Sequence, residues 1–286
     1  MNVMLLTKLV AGLVALACGT DDFPFEEKDE IRKTLSFSDP AGPKRIEVDN
    51  INGAIKVDGY AGREVQLVVH QTFRGRSTEK IQEARKDVAL EISQEKNAIR
   101  LYVEAPYRQR DGSVNYRGER YYGYVANFDF EIKVPHETSI DLKTINDGEI
   151  EVKGVTGDYD IQNVNGGIDM LDVGGSGRVY ALNGEVRVLF QKNPPKSSYF
   201  GSLNGDVELT FLSNLSAIFR LKTFNGEVYA DFPVTYVAGA KPIREQRKGK
   251  LVYRYDRTFG VQVGKGGPEI DLDAFNGDIH ILKREK

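Results

Sequence analysis

A single cysteine, Cys18, in 286 residues excludes a disulfide framework within the chain, so the stability of the body has to come from packing. Histidine is nearly as scarce. His70, His136 and His280 are scattered, none at the spacing of a hairpin or helical metal site, so neither a metal nor another cofactor is expected. An excess of one charge is also missing: 39 basic against 42 acidic residues leave a net charge of −3, which gathers no polyanion and removes nucleic acid from the expected partners. The longest apolar run, Leu9 to Ala17, is about half of the roughly 20 residues that a membrane-spanning helix needs. Catalytic signatures are absent as well. Ser176 in GGSG and Ser202 in FGSLNG miss the G-x-S-x-G elbow. GKGGPE from Gly264 lacks the strand-to-helix context of a phosphate loop, and GGSGRVY from Gly174 has the glycines of a calcium β-roll without its aspartate. No catalytic residue is assigned, and the chain is not expected to be an enzyme.

What is present is a globular composition, 40% hydrophobic and 28% charged, enough for one extended domain or two compact ones. Residues 1–18, MNVMLLTKLVAGLVALAC, read as an export signal, with an n-region ending at Lys8, an apolar stretch and small residues before Cys18. Ala15, Leu16 and Ala17 satisfy an ordinary A-x-A cleavage site. Cys18 also stands where a lipobox places its acylated residue. That similarity to bacterial lipoprotein signals implies a lipid anchor on Cys18, with the membrane as a partner. Residues 19–43 read as a polar tether.

Residues 44–126 follow. From Ile46, IEVDNINGAIKVDGYAGREVQLVV alternates apolar and polar residues as three strands. Ser77 to about Ser93 places Ile81, Ala84 and Val88 at helical spacing amid charges and predicts one amphipathic helix. Ile99, Leu101 and Val103 predict a strand ending at Pro106. Residues 127–286 alternate throughout, apart from a basic insertion near 238–262.

An Asn-Gly turn recurs along the chain: Asn52-Gly53, Asn165-Gly166, Asn183-Gly184, Asn204-Gly205, Asn225-Gly226 and Asn276-Gly277, with Asn146 one inserted residue ahead of its glycine. Asparagines 146, 165, 183, 204 and 225 are separated by 19, 18, 21 and 21 residues. Each is preceded by an apolar residue and followed by an alternating pair such as Val186 and Val188, so the phase is constant. A fixed period predicts stacked units that turn at one shared corner, with glycine supplying positive φ and asparagines bonding along the stack. The expected fold is therefore all-β, a single-stranded β-solenoid of about 20 residues per coil carrying one N-terminal helix. Asn-Gly is also the strongest two-residue hairpin signal, so an antiparallel β-sandwich or meander is the alternative.

The segment from Ile46, the NGEV and NGDV turns, and GKGGPEIDLDAFNGDIHI from Gly264 resemble the bacterial "putative adhesin" family of β-strand repeats, over roughly residues 44–283. The resemblance implies a right-handed single-stranded β-helix displayed in the cell envelope, and it carries no catalytic residues across. The expected function is a non-enzymatic, adhesin-like envelope scaffold that binds a surface, a glycan or an envelope protein. An envelope-stress or regulatory binding protein is one alternative. A polysaccharide-acting β-helix enzyme is the other, with Glu151, Asp169, Arg187 and Glu208 at successive outward positions.

Two regions stand out as binding candidates. The stretch from Tyr107 to Tyr124 combines Tyr107, Tyr121, Tyr122 and Tyr124 with Arg117 and Arg120, stacking faces beside donors. The same tyrosines would equally serve to cover one end of the stack. Arg244, Arg247, Lys248 and Lys250 form a basic stretch suited to anionic headgroups or polysaccharide, or simply to a solvated hairpin. The acidic residues after the turns, Glu149, Glu185, Asp206, Glu227 and Asp278, would line one edge, where a solvated face is the commoner outcome than cation binding.

Overall fold

Each Asn-Gly pair joins two short strands that lie in different sheets. In the third repeat Tyr159–Asn165 enters the corner in one sheet, and Ile168–Val173 leaves it in the other. Like strands of successive repeats then pair in parallel and in register: Ile150, Ile168, Val186, Val207 and Ile279 align across one sheet. Leu142, Ile161, Val179, Phe200 and Leu272 align across the other. All ten are buried, since strand side chains alternate and these share the inward phase. The computed structural model describes residues 15–16, 22–39, 41–109, 113–115, 121–237, 243–247, 250–254 and 259–285. Cys18 and most of the export signal lie outside the described residues. Among the described residues no helix is long and apolar enough to cross a membrane.

The two large sheets hold eleven strands each and are mixed. The first runs from the antiparallel strands Phe25–Ser36, Glu64–Gly75 and Tyr124–Pro135 through the parallel series to Val228–Ala230 at its far edge. The second begins with the antiparallel pair Ala89–Glu95 and Ala98–Glu104 and ends with Phe259–Val263 and Val234–Val237, again antiparallel. Their inner faces share one core, in which Phe190 of the first sheet meets Phe200 of the second edge-on at 6.0 Å and stacks on Phe211 at 4.9 Å. Burying each such ring contributes about 2–3 kcal/mol.

This topology corrects the expected fold. A single-stranded solenoid adds coils in chain order, whereas here Glu269–Asn276 sits between Ser198–Asn204 and Ala217–Asn225, and Ile279–Lys283 sits between Val207–Phe211 and Val228–Ala230. With antiparallel strands at one end of the first sheet and at both ends of the second, the architecture is a sandwich-like pair of mixed sheets. Of the alternative, an antiparallel β-sandwich or meander, the sandwich holds in outline, with mixed rather than antiparallel sheets, and the meander fails at the corners: the Asn-Gly turns pass the chain from sheet to sheet and make no hairpin.

Two local differences have clear causes. Within the segment read as a tether, Phe25–Ser36 pairs with Glu64–Gly75 along its whole length. The helix is shorter than its periodicity suggests and spans Thr78–Asp87, capped by the Ser77 hydroxyl, which accepts from the Lys80 amide at 3.3 Å. Val88 already has extended backbone and leads into Ala89–Glu95. The helix packs Ile81 and Ala84 into the core, and its Arg85 reaches Glu27 at 3.0 Å and Asp29 at 3.2 Å while lying over the Phe73 ring.

Candidate functional site

The shared corner is the most regular feature. Each asparagine amide donates to the side-chain oxygen of the next: Asn146 to Asn52, Asn165 to Asn146, Asn183 to Asn165, Asn204 to Asn183, Asn276 to Asn204 and Asn225 to Asn276, at 2.7–3.0 Å. Two residues earlier, small polar side chains cap the corner carbonyls from inside. Thr144 donates to the Gly53 carbonyl at 2.9 Å, Asn163 to Gly148 at 3.0 Å and Ser202 to Gly184 at 2.8 Å. The glycines are required chiefly by close approach. A Cβ on Gly205 would lie 2.3 Å from the Gly184 carbonyl oxygen, and only Gly53, at φ +113°, is deep in the left-handed region among the Asn-Gly glycines. The acidic residues beside the turns also bond along the stack: Asp206 accepts from the Asp278 amide and Asp278 from the Glu227 amide, both at 2.8 Å. Among the described residues no group of His, Cys, Asp and Glu is arranged to hold a metal.

The tyrosine-rich region is divided between core and surface. Tyr107 and Tyr124 are buried, Tyr122 packs between them at 6.3 and 5.8 Å, and Tyr121 is 84% exposed. The Tyr124 hydroxyl donates to Asp87 at 3.0 Å, and burial together with that bond pushes its ionisation well above the usual phenol range. Arg108 is buried too, with its guanidinium 3.0 Å from Asp49 as an ion pair and 4.4 Å over the Tyr102 ring. Among the described tyrosines of this region, Tyr121 and part of Tyr122 are the accessible ones, at a hollow bounded by Pro106, Arg108 and Asn115. Arg117, Arg120 and Lys248 lie outside the described residues. Arg244, Arg247 and Lys250 belong to a two-stranded antiparallel pair, Ile243–Arg247 with Lys250–Arg254.

On the outer face of the first sheet, Glu151 pairs with Lys56 at 3.0 Å and Asp169 lies 3.8 Å from Arg187, which also pairs with Glu185. The carboxylates named for the enzyme alternative are thus largely met by basic neighbours. His280 stacks on Tyr229 at 4.9 Å on this face, and His70 lies 3.6 Å from Glu30 and 3.7 Å from Glu131. Ser176 and Ser202 are buried and bonded to backbone.

The outer face of the second sheet differs in carrying aromatic rings. Tyr102 lies under Arg100 and Arg108 at one end. Next come Glu47, Asp141 and Asp160, directly opposite one another on three strands, with Arg45 pairing to the first two. Burial pushes the Asp141 carboxyl above the usual range, and Arg45 opposes that shift. Further along, Tyr180 and Tyr199 lie 6.5 Å apart, with the Arg178 guanidinium 5.5 and 4.3 Å over their rings. Sequence reading passed over these tyrosines. The available signal was their outward phase in GRVYALN and SYFGSLN.

No family model matches the chain, and no curated protein is similar to it. Three solved structures are similar over most of its length. One is a "putative cell adhesion protein" from Clostridium sporogenes, 12% identical over 90% of this chain and 100% of that one, with a TM-score of 0.39. A "putative adhesin" from Bacteroides fragilis is 11% identical over 90% of this chain and 97% of that one, with a TM-score of 0.41. A "putative lipid binding protein" from Parabacteroides distasonis is 11% identical over 91% and 97%, with a TM-score of 0.28. Superpositions this loose leave the reading of function to the chain's own residues.

Proposed function

We propose that the protein is a non-enzymatic, adhesin-like scaffold of the cell envelope, exported and anchored by a lipid on Cys18, that holds a rigid sheet face toward a surface, a glycan or an envelope protein. One observation carries this reading: the tyrosines and Arg178 on the second sheet project from strands held in register by parallel pairing and the asparagine stack. A face built in this way loses little conformational freedom on binding, which suits display more than induced closure. The test uses the full chain on beads, incubated with whole cells and with isolated envelope fractions. Retention above a bead-only control is expected; none in any fraction would overturn the reading. Mass spectrometry of the protein from its native membranes tests the anchor, with an acyl mass on Cys18 that disappears in Cys18→Ser.

A further inference from the structure

We propose that Tyr180, Tyr199 and Arg178 form a platform for a neutral, hydroxyl-rich oligosaccharide, an assignment that rests on the surface-binding reading and names its site. The two strands Gly177–Asn183 and Ser198–Asn204 pair so that Arg178 faces Tyr199 and Tyr180 faces Gly201. Gly201 is the outward position that lets Tyr199 recline. A Cβ there would lie 2.7 Å from the Tyr199 hydroxyl and 3.0 Å from its Cζ. The Arg178 guanidinium lies closer to Tyr199 than to Tyr180, so Tyr180 is the ring left more open to a sugar's apolar face.

Among the described residues Arg178 makes no ion pair although Asp160 lies opposite it, which leaves its donors available while the rings fix its position. Carboxylates stand around the platform: Asp160 beside Arg178, Asp271 beside Tyr199 and Asp273 beside Gly201. Asp271 Oδ1 is buried and accepts no hydrogen bond from the described residues. Asp273 is held by Lys222 at 3.0 Å. Free guanidinium donors, carboxylate acceptors and an open ring match hydroxyl groups, which both donate and accept. Counting Arg220, which faces Asp271, and its partner Glu269 at 2.8 Å, four carboxylates (Asp160, Asp271, Asp273 and Glu269) stand against Arg178, Arg220 and Lys222 and disfavour an anionic ligand. An extended glycan laid across the strands would also advance about one sugar per strand, since strands lie about 4.8 Å apart.

The test is isothermal titration of the full chain with cellohexaose and chitohexaose, and with trigalacturonate as the anionic comparison. One neutral hexasaccharide is expected to bind, with Tyr180→Ala and Arg178→Ala each weakening it at least tenfold. Tyr180→Phe and Tyr121→Ala should stay within twofold, and all variants should keep the parent melting temperature. Unchanged binding by Tyr180→Ala and Arg178→Ala overturns the platform and leaves glycan binding elsewhere on the molecule. Loss only in Tyr121→Ala moves the site to the tyrosine hollow. Preference for trigalacturonate overturns the neutral class. If no hexasaccharide binds while envelope fractions still retain the protein, the saccharide assignment falls and the surface-binding reading stands; loss of both ends that reading too.

Discussion

Replacing Gly205 by alanine tests whether the corners are set by backbone approach. The new Cβ would lie 2.3 Å from the Gly184 carbonyl oxygen, 2.6 Å from its carbon and 2.9 Å from the Glu185 nitrogen. All three atoms are backbone of the neighbouring corner, which is itself held by the Gly184 amide bonding to the Asn204 carbonyl at 3.0 Å and by the Asn204–Asn183 side-chain bond at 2.8 Å. Ordinary contact requires the strands to part by about 1 Å. Overpacking of this kind costs about 1–3 kcal/mol, and weakening the two corner bonds adds about 1 kcal/mol, for a total near 3. For a chain of this size that lowers the melting temperature by about 6–12 °C. Gly167→Ala is the matched control, because its nearest atom is the Glu185 carbonyl oxygen at 3.4 Å, an ordinary contact. It should change stability by less than about 0.5 kcal/mol. Urea and thermal unfolding followed by far-ultraviolet circular dichroism give both numbers. Equal stability of the two variants would refute close approach as the reason for the glycine.

Asn183→Ala removes two bonds of the stack, to Asn165 at 2.9 Å and from Asn204 at 2.8 Å, and should destabilise by about 1 kcal/mol in the same assay, because the amide is exposed. Arg108→Ala leaves Asp49 without its buried partner and should destabilise by about 3 kcal/mol; a change under about 1 kcal/mol would show that water satisfies the carboxylate. Burial first and Glu269 second raise the Asp271 carboxyl above 3.8, so the native state favours its protonated form, and this contribution to stability is full below 3.8 and lost as pH rises. Asp271→Asn should therefore raise the melting temperature at pH 7, and the gain should shrink as pH falls through the carboxylate range; a gain independent of pH would refute the cause.

Inward residues such as Ile150, Ile168, Val186 and Val207 are legible from alternation alone, because only one phase of each strand is apolar. The order of neighbours is not. Asn276 lies 51 residues beyond Asn225, and that interval suits an inserted coil as well as a strand returning between older ones. Strand Phe25–Ser36 is hidden because its positions facing the helix include Glu27 and Asp29, whose partner Arg85 is 58 and 56 residues away. Val88 misleads by fitting two patterns at once, four residues after Ala84 on the helix and two before Leu90 on the strand. For the site, a cluster of tyrosines in one loop draws attention, yet Tyr107 and Tyr124 fill the core. Tyr180 and Tyr199 are 19 positions apart and meet only through the strand register.

The returning C-terminal strands also dictate when the molecule can be finished. A stack that grows in order can settle one unit at a time as the chain emerges. Here Ala217–Asn225 has no parallel neighbour until residues 269–276 arrive, and Phe219 and Leu221 stay without their lining on that side. Completion thus waits for Glu269–Asn276 and Ile279–Lys283, and these distant pairings make it slow.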